Sequence, residues 1–103
     1  MPRPRQHQTL YHAAPPDTRD SILRHGLQPG SGASFGPPAV YLFTHWELAA
    51  DYIDEPSDVW RVDSRKLLVH PDPEDPAGAV YHEGPIHPSR LRLVGTYLSG
   101  RRV

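Results

Sequence analysis

Cysteine is missing from all 103 residues, which excludes disulfides, thiolate nucleophiles and Cys-based zinc sites in one step. Long apolar runs are missing too, and no stretch approaches the roughly 18 residues of a membrane-spanning helix. Neither charge sign dominates. Eleven Lys and Arg against twelve Asp and Glu leave a net charge of −1, so no global field steers the chain to nucleic acid or to an anionic membrane. The opening MPRPRQHQTL is basic but lacks an apolar h-region, so a cytoplasmic protein with no membrane partner is expected. GxGxxG and GxxxxGK[ST] phosphate loops are also absent, which leaves nothing to argue for a doubly wound nucleotide-binding sheet.

What the chain does contain is proline and glycine, thirteen and eight of them, which implies short elements joined by irregular backbone. The length suits one domain. Residues 1–8 read as a loose basic arm and residues 9–103 as a single domain. Thr9 to Ala13 form a strand ending at Pro15-Pro16. Asp17 is placed to cap a helix running to His25, with Gly26 past its end and Leu27 packing back. Residues 28–38, QPGSGASFGPP, are a long loop. Ala39 to Phe43 make a second strand. Thr44 with Glu47 resembles a capping box for a helix over about 45–53 that Pro56 terminates. Val59 to Asp63 alternate as a half-buried strand, which Leu67 to Val69 could continue. HPDPEDPAG is an acidic loop, Ala79 to His82 a strand, residues 84–88 a turn and Leu91 to Leu98 a closing strand. Short strands separated first by helices and then by loops predict an α+β domain with an antiparallel or mixed sheet.

The order of LYHAA, SILRHGLQPG and VYLFT resembles the ADP-ribosyltransferase superfamily, in its His-Tyr-Asp/Glu branch. Tyr41 and Tyr52 have the Tyr, ten residues, Tyr spacing of that branch. LYHAA, VYLF, WRVDS, HPDPEDP and LRLVGTY, in that order over about residues 9–98, are similar to motifs of the small bacterial rifamycin ADP-ribosyltransferases. The resemblance implies a small split β-sheet with two short helices and an NAD-dependent transferase. Two positions depart from the pattern. Ala13-Ala14 stand where the family has Gly-Thr, so a threonine hydroxyl is lost, and Phe43 stands where a serine is frequent. The chain is also shorter than the drug-modifying enzymes, and the rifamycin substrate is not carried over.

On this resemblance NAD is the co-substrate. Cleaving its nicotinamide–ribose bond passes through an oxocarbenium-like sugar, the charge problem that glycosidases solve with carboxylates. His12 would hold a ribose hydroxyl and the backbone of Ala13 a carboxamide. Tyr41 and Tyr52 would sandwich the pyridinium, each contact contributing roughly 0.5–2 kcal/mol. Asp72 or Glu83 would supply the carboxylate that stabilises the sugar and takes the acceptor's proton, with Asp72 preferred through the Asp-Pro match and Asp75 a further choice. Arg24 or Arg90 could meet the pyrophosphate. The acceptor is expected to be a small molecule or a protein rather than nucleic acid.

The plainer readings are that His12 is a hydrogen-bonded structural residue, that Tyr41 and Tyr52 are ordinary core and surface aromatics, and that Asp72, Glu74 and Asp75 keep a proline-rich loop solvated. Arg90, Arg92, Arg101 and Arg102 read as solvent-face and tail charges. His82 and His87 flank a Gly-Pro turn and His70 lies among prolines, so no metal-ligand spacing stands out and no metal is expected. Two further functions stay open: a catalytically silent module that binds NAD, ADP-ribose or a protein, and a relative of the RNA 2′-phosphotransferases.

Overall fold

The computed structural model describes residues 9–30, 38–50, 55–71, 78–98 and 101–103. Its strands are β1 (Thr9–Ala14), β2 (Val40–Phe43), β3 (Ser57–Asp63), β4 (His70–Pro71), β5 (Ala79–His82), β6 (Leu91–Leu98) and β7 (Arg101–Arg102), with helices α1 (Arg19–His25) and α2 (Trp46–Ala50). The strands form one sheet in the order β4-β5-β2-β1-β3-β6-β7, and each neighbouring pair is antiparallel. This is an α+β fold. No helix among the described residues is long and apolar enough to cross a membrane.

The pleat sends successive side chains to opposite faces, and each face carries a core, although Arg61 of β3 and Arg92 of β6 are exposed. On one, Leu10, Ala14, Val40, Leu42, Trp60 and Val62 pack with Ile22 of α1 and with Leu27 and Ile86. On the other, Ala13, Phe43, Val59, Ala79 and Tyr97 pack with Ala49 and Ala50 of α2. The expectation that β3 is half-buried is therefore corrected. Val59, Trp60 and Val62 are all fully buried, because β3 is a central strand with a core on each side. A bulge on β6 supports this arrangement. Val59 pairs with Gly95 and Trp60 with Leu93, which leaves Val94 as the extra residue. The bulge turns Leu93 toward the α1 core and Tyr97 toward the α2 core, although their spacing alone would put them on one face.

Several local expectations change. Asp17 does not cap α1. It lies inside a 3-10 turn, Pro16–Thr18, and Thr18 precedes the helix without a side-chain cap bond. Gly26 does end α1, with φ 78°, and its N–H donates to the Ile22 carbonyl at 2.8 Å. Leu27 then bridges to Ile86. In place of a capping box, the Thr44 N–H donates to the Gly78 carbonyl at 2.9 Å and α2 begins at Trp46. Trp46 is 37% exposed, with its ring 5.4 Å from that of Tyr97. Leu67 to Val69 do not extend β3. The chain turns and adds β4 to the other edge, against β5. The two-residue β7 carried no sequence signal.

The closed side of β1 holds a buried ionic knot. Asp58 on β3 is fully buried and accepts Arg19 Nε at 2.8 Å, Arg19 Nη2 at 2.9 Å and Thr96 Oγ1 at 2.7 Å. The Arg19 guanidinium and the Thr96 hydroxyl hold the Asp58 carboxyl below its ordinary range against the opposing effect of burial. Because Arg19 opens α1, this knot ties the helix to β3 and β6 and sets it over the sheet.

Candidate functional site

The two sides of β1 are not alike. Toward β3 it is paired at six consecutive positions, Thr9 to Ala14. Toward β2 it is paired at one, Tyr11 with Phe43. Beyond that position β1 and β2 part, and β2 continues its ladder with β5 at four positions. A cavity of about 520 Å³ lies along the parting, bordered by His12, Ala13 and Tyr41 from the strands, Ser21 and Ile22 from α1, and Gln28 after it. Its volume falls in the range of about 300–1,000 Å³ usual for small-molecule sites.

Parting two strands removes ladder hydrogen bonds, and the freed backbone groups need partners. One is found at once. His12 Nδ1 lies 2.8 Å from the Tyr41 carbonyl oxygen, and a carbonyl can only accept, so Nδ1 carries the proton and donates. In the neutral ring Nε2 is then left with a lone pair. The imidazole retains partial access through the cavity, yet the protein around it pushes its pKa below the ordinary 6.5, while the bond to Tyr41 opposes the shift. The site therefore presents a neutral, oriented imidazole whose free nitrogen accepts a hydrogen bond, the requirement for holding a hydroxyl.

The Tyr41 ring takes a different position. Alternation along β2 places Val40 and Leu42 on the α1 face and Tyr41 with Phe43 on the other, so the ring and the His12 imidazole leave the sheet on opposite faces. Both residues nonetheless line the one cavity, where β1 and β2 have parted. The ring packs against Tyr81, its direct partner on β5, at a centroid distance of 6.0 Å and 47°, and Tyr81 lies 5.1 Å from the ring of His70 on β4.

The remaining expected site residues divide. Ala13 borders the cavity beside His12. Arg24 is exposed on α1 and does not border it. Glu83 follows β5, with Oε1 3.7 Å from His70 Nε2, and is likewise outside the cavity lining. Tyr52, Asp72, Glu74 and Asp75 lie outside the described residues, as does the 31–37 part of the long loop. Among the described residues no carboxylate lines the cavity, and no group of His, Asp and Glu there has the arrangement of a metal site. Sequence reading missed Ser21 and Gln28 as lining residues, and it missed the Tyr41 carbonyl, whose role carries no residue-type signal because every residue has one.

The fold and cavity define an α+β protein with a small-molecule-sized opening between two central strands. No family model, curated protein or solved structure matches the chain.

Proposed function

We propose that this chain binds NAD in the opening between β1 and β2, breaks the nicotinamide–ribose bond and transfers ADP-ribose to a small-molecule or protein acceptor. The observation that carries this reading is the His12–Tyr41 contact at the parting of the strands. It supports the reading by setting a neutral histidine, whose Nε2 is free to accept a ribose hydroxyl, beside an opening between two neighbouring strands. The Ala13 backbone beside it suits a carboxamide, and Tyr41 at the rim suits an aromatic cation. In the reaction the C1′–N bond breaks and its electron pair leaves with nicotinamide. A carboxylate, Asp72 or Glu83, steadies the positive sugar. The acceptor's nucleophilic atom then bonds C1′ and gives its proton to that carboxylate.

The second reading, a module that binds NAD or ADP-ribose without turnover, draws support from the cavity's described lining, which contains no carboxylate. Nicotinamide release from NAD separates the two, measured on the wild type beside His12→Ala, Tyr41→Ala, Asp72→Ala and Glu83→Gln. Release that falls about a hundredfold or more in His12→Ala and in one carboxylate variant supports the transferase and assigns the carboxylate. Saturable NAD binding without release supports the module. Absence of both binding and release ends the NAD reading.

A further inference from the structure

At the other end of the same strands, arginines scattered through the sequence come together. A second cavity, about 380 Å³, is lined by Arg61 and Asp63 of β3, Arg65 after it, Arg90, and Arg92 of β6. Arg61 and Arg92 are directly paired across the β3–β6 ladder, so their side chains rise together from one face, with Cβ atoms about 4.5–5.5 Å apart. Like charges in that relation destabilise a sheet. Neither guanidinium has a hydrogen-bond or ion-pair partner among the described residues. A chain with a net charge of −1 has no compositional reason to concentrate cations here.

The other two arginines build the frame. Arg90 Nη1 donates to the Asp63 carbonyl at 2.9 Å and to the Arg65 carbonyl at 2.6 Å, which pins the turn leaving β3 beneath the start of β6. Arg65 clasps the Asp63 carboxylate through Nε at 3.0 Å and Nη2 at 2.6 Å, so the one carboxylate among the described lining residues is already neutralised. Among the described residues, Arg61 and Arg92 thus stand without a partner at the rim of a braced, positively charged hollow.

We propose that this hollow is a phosphate site, in which Arg61 and Arg92 clamp the dianionic head of a phosphomonoester. Two guanidinium forks offer paired parallel N–H donors to a tetrahedral group with three terminal oxygens, whereas one fork alone satisfies a carboxylate. Two cations with no partner among the described residues match a dianion, and a phosphodiester carries one charge. The site is independent of the NAD reading, since it lies at the Thr9 end of β1 and the strand opening at the His12–Ala14 end. The phosphate could belong to a phosphorylated small molecule or to the end of an oligonucleotide.

Isothermal titration with ribose 5-phosphate, with ribose at matched ionic strength, and with a trinucleotide bearing or lacking a 5′-phosphate tests the proposal. Saturable binding that requires the phosphate is expected, weakened about tenfold or more by Arg61→Ala or Arg92→Ala. Arg101→Ala removes the same charge at the far end of β6 and is expected to leave the affinity unchanged. Arg92→Glu places opposite charges across the ladder, so it keeps the fold, with a Tm at or above that of the wild type, while losing the ligand. Equal affinity for the sugar phosphate and the phosphorylated trinucleotide assigns the site to the isolated group, and tighter binding of the trinucleotide assigns it to an oligonucleotide end. No phosphate-dependent binding, an equal loss in Arg101→Ala, or undiminished binding by folded Arg92→Glu overturns the proposal.

Discussion

One strand, β1, has a sealed side and an open side. Its seam with β3 is complete, backed by the buried Trp60 and fastened by the Arg19–Asp58–Thr96 knot. Its seam with β2 closes at a single position, and the imidazole of His12 takes over a carbonyl in the gap. The lesson is a division of labour within six residues. The sealed side contributes stability, so the open side can leave backbone and imidazole groups available to a ligand. Functional sites are commonly drawn from the less stable parts of a fold for this reason.

Mutations can break or sharpen that contrast. The largest effect is expected on the sealed side. Trp60 is completely buried and its indole Nε1 has no hydrogen-bond partner among the described residues, so packing alone retains it, and Trp60→Ala should cost about 3–5 kcal/mol in urea denaturation. Next comes the wall of the opening. At Gly26 (φ 78°) a Cβ would lie 2.0 Å from the Ile86 carbonyl oxygen, so Gly26→Ala should cost about 2–3 kcal/mol and shift α1 over the cavity, read as a weaker NAD affinity along with the lower stability.

The knot should rank close behind. Asp58→Asn removes the charge that Arg19 and Thr96 hold, and because the Arg19 side chain is 41% exposed, the cost is expected at about 2 kcal/mol rather than the value for a fully buried pair. Asp58 has its folded pKa depressed from 3.8, so its contribution is complete above that value and disappears as the pH falls through the folded one. A variant whose stability tracked the wild type through strong acid would contradict this role.

The smallest stability effect belongs to the open side. His12→Ala removes one partly buried hydrogen bond and should cost about 0.5–1.5 kcal/mol, a loss out of proportion to its expected effect on nicotinamide release. Its pH signature has a defined sign. The folded pKa lies below the unfolded 6.5, so the unfolded chain binds more protons in that interval. Wild-type stability is therefore full above pH 6.5 and declines on acidification toward the folded value. His12→Asn should flatten that part of the profile. An unchanged slope would mean that His12 is not held neutral by the opening.

Much of the fold is legible in the residues alone. Thr9 to Ala14, Val40 to Phe43, Ala79 to His82 and Leu91 to Leu98 announce themselves through β-branched and aromatic residues bounded by Pro and Gly. Gly26 marks the end of α1 because few other residues tolerate its backbone. The elements misread were those with little local signal. His70–Pro71 is two residues long and owes its place to β5. Val59 to Asp63 alternate like a half-buried strand, yet neighbours on both faces bury Val59, Trp60 and Val62 while Arg61 stays exposed. For the site, His12, Ala13 and Tyr41 were identified from a motif order, while Ser21 and Gln28 had no motif to declare them.

By itself, the sequence determined most of the longer strands and both helices, that an α+β fold results, and that a histidine and a tyrosine sit on its first two strands. These follow from local backbone preference and side-chain period, which act over a few residues. Only the tertiary structure decided that β1 and β2 part beyond Tyr11, that His12 meets the Tyr41 carbonyl rather than its ring, and that Arg61 faces Arg92 across thirty residues of chain. Those outcomes depend on strand order and register, and register is settled by the packing of two cores against the sheet, a balance that no single segment contains.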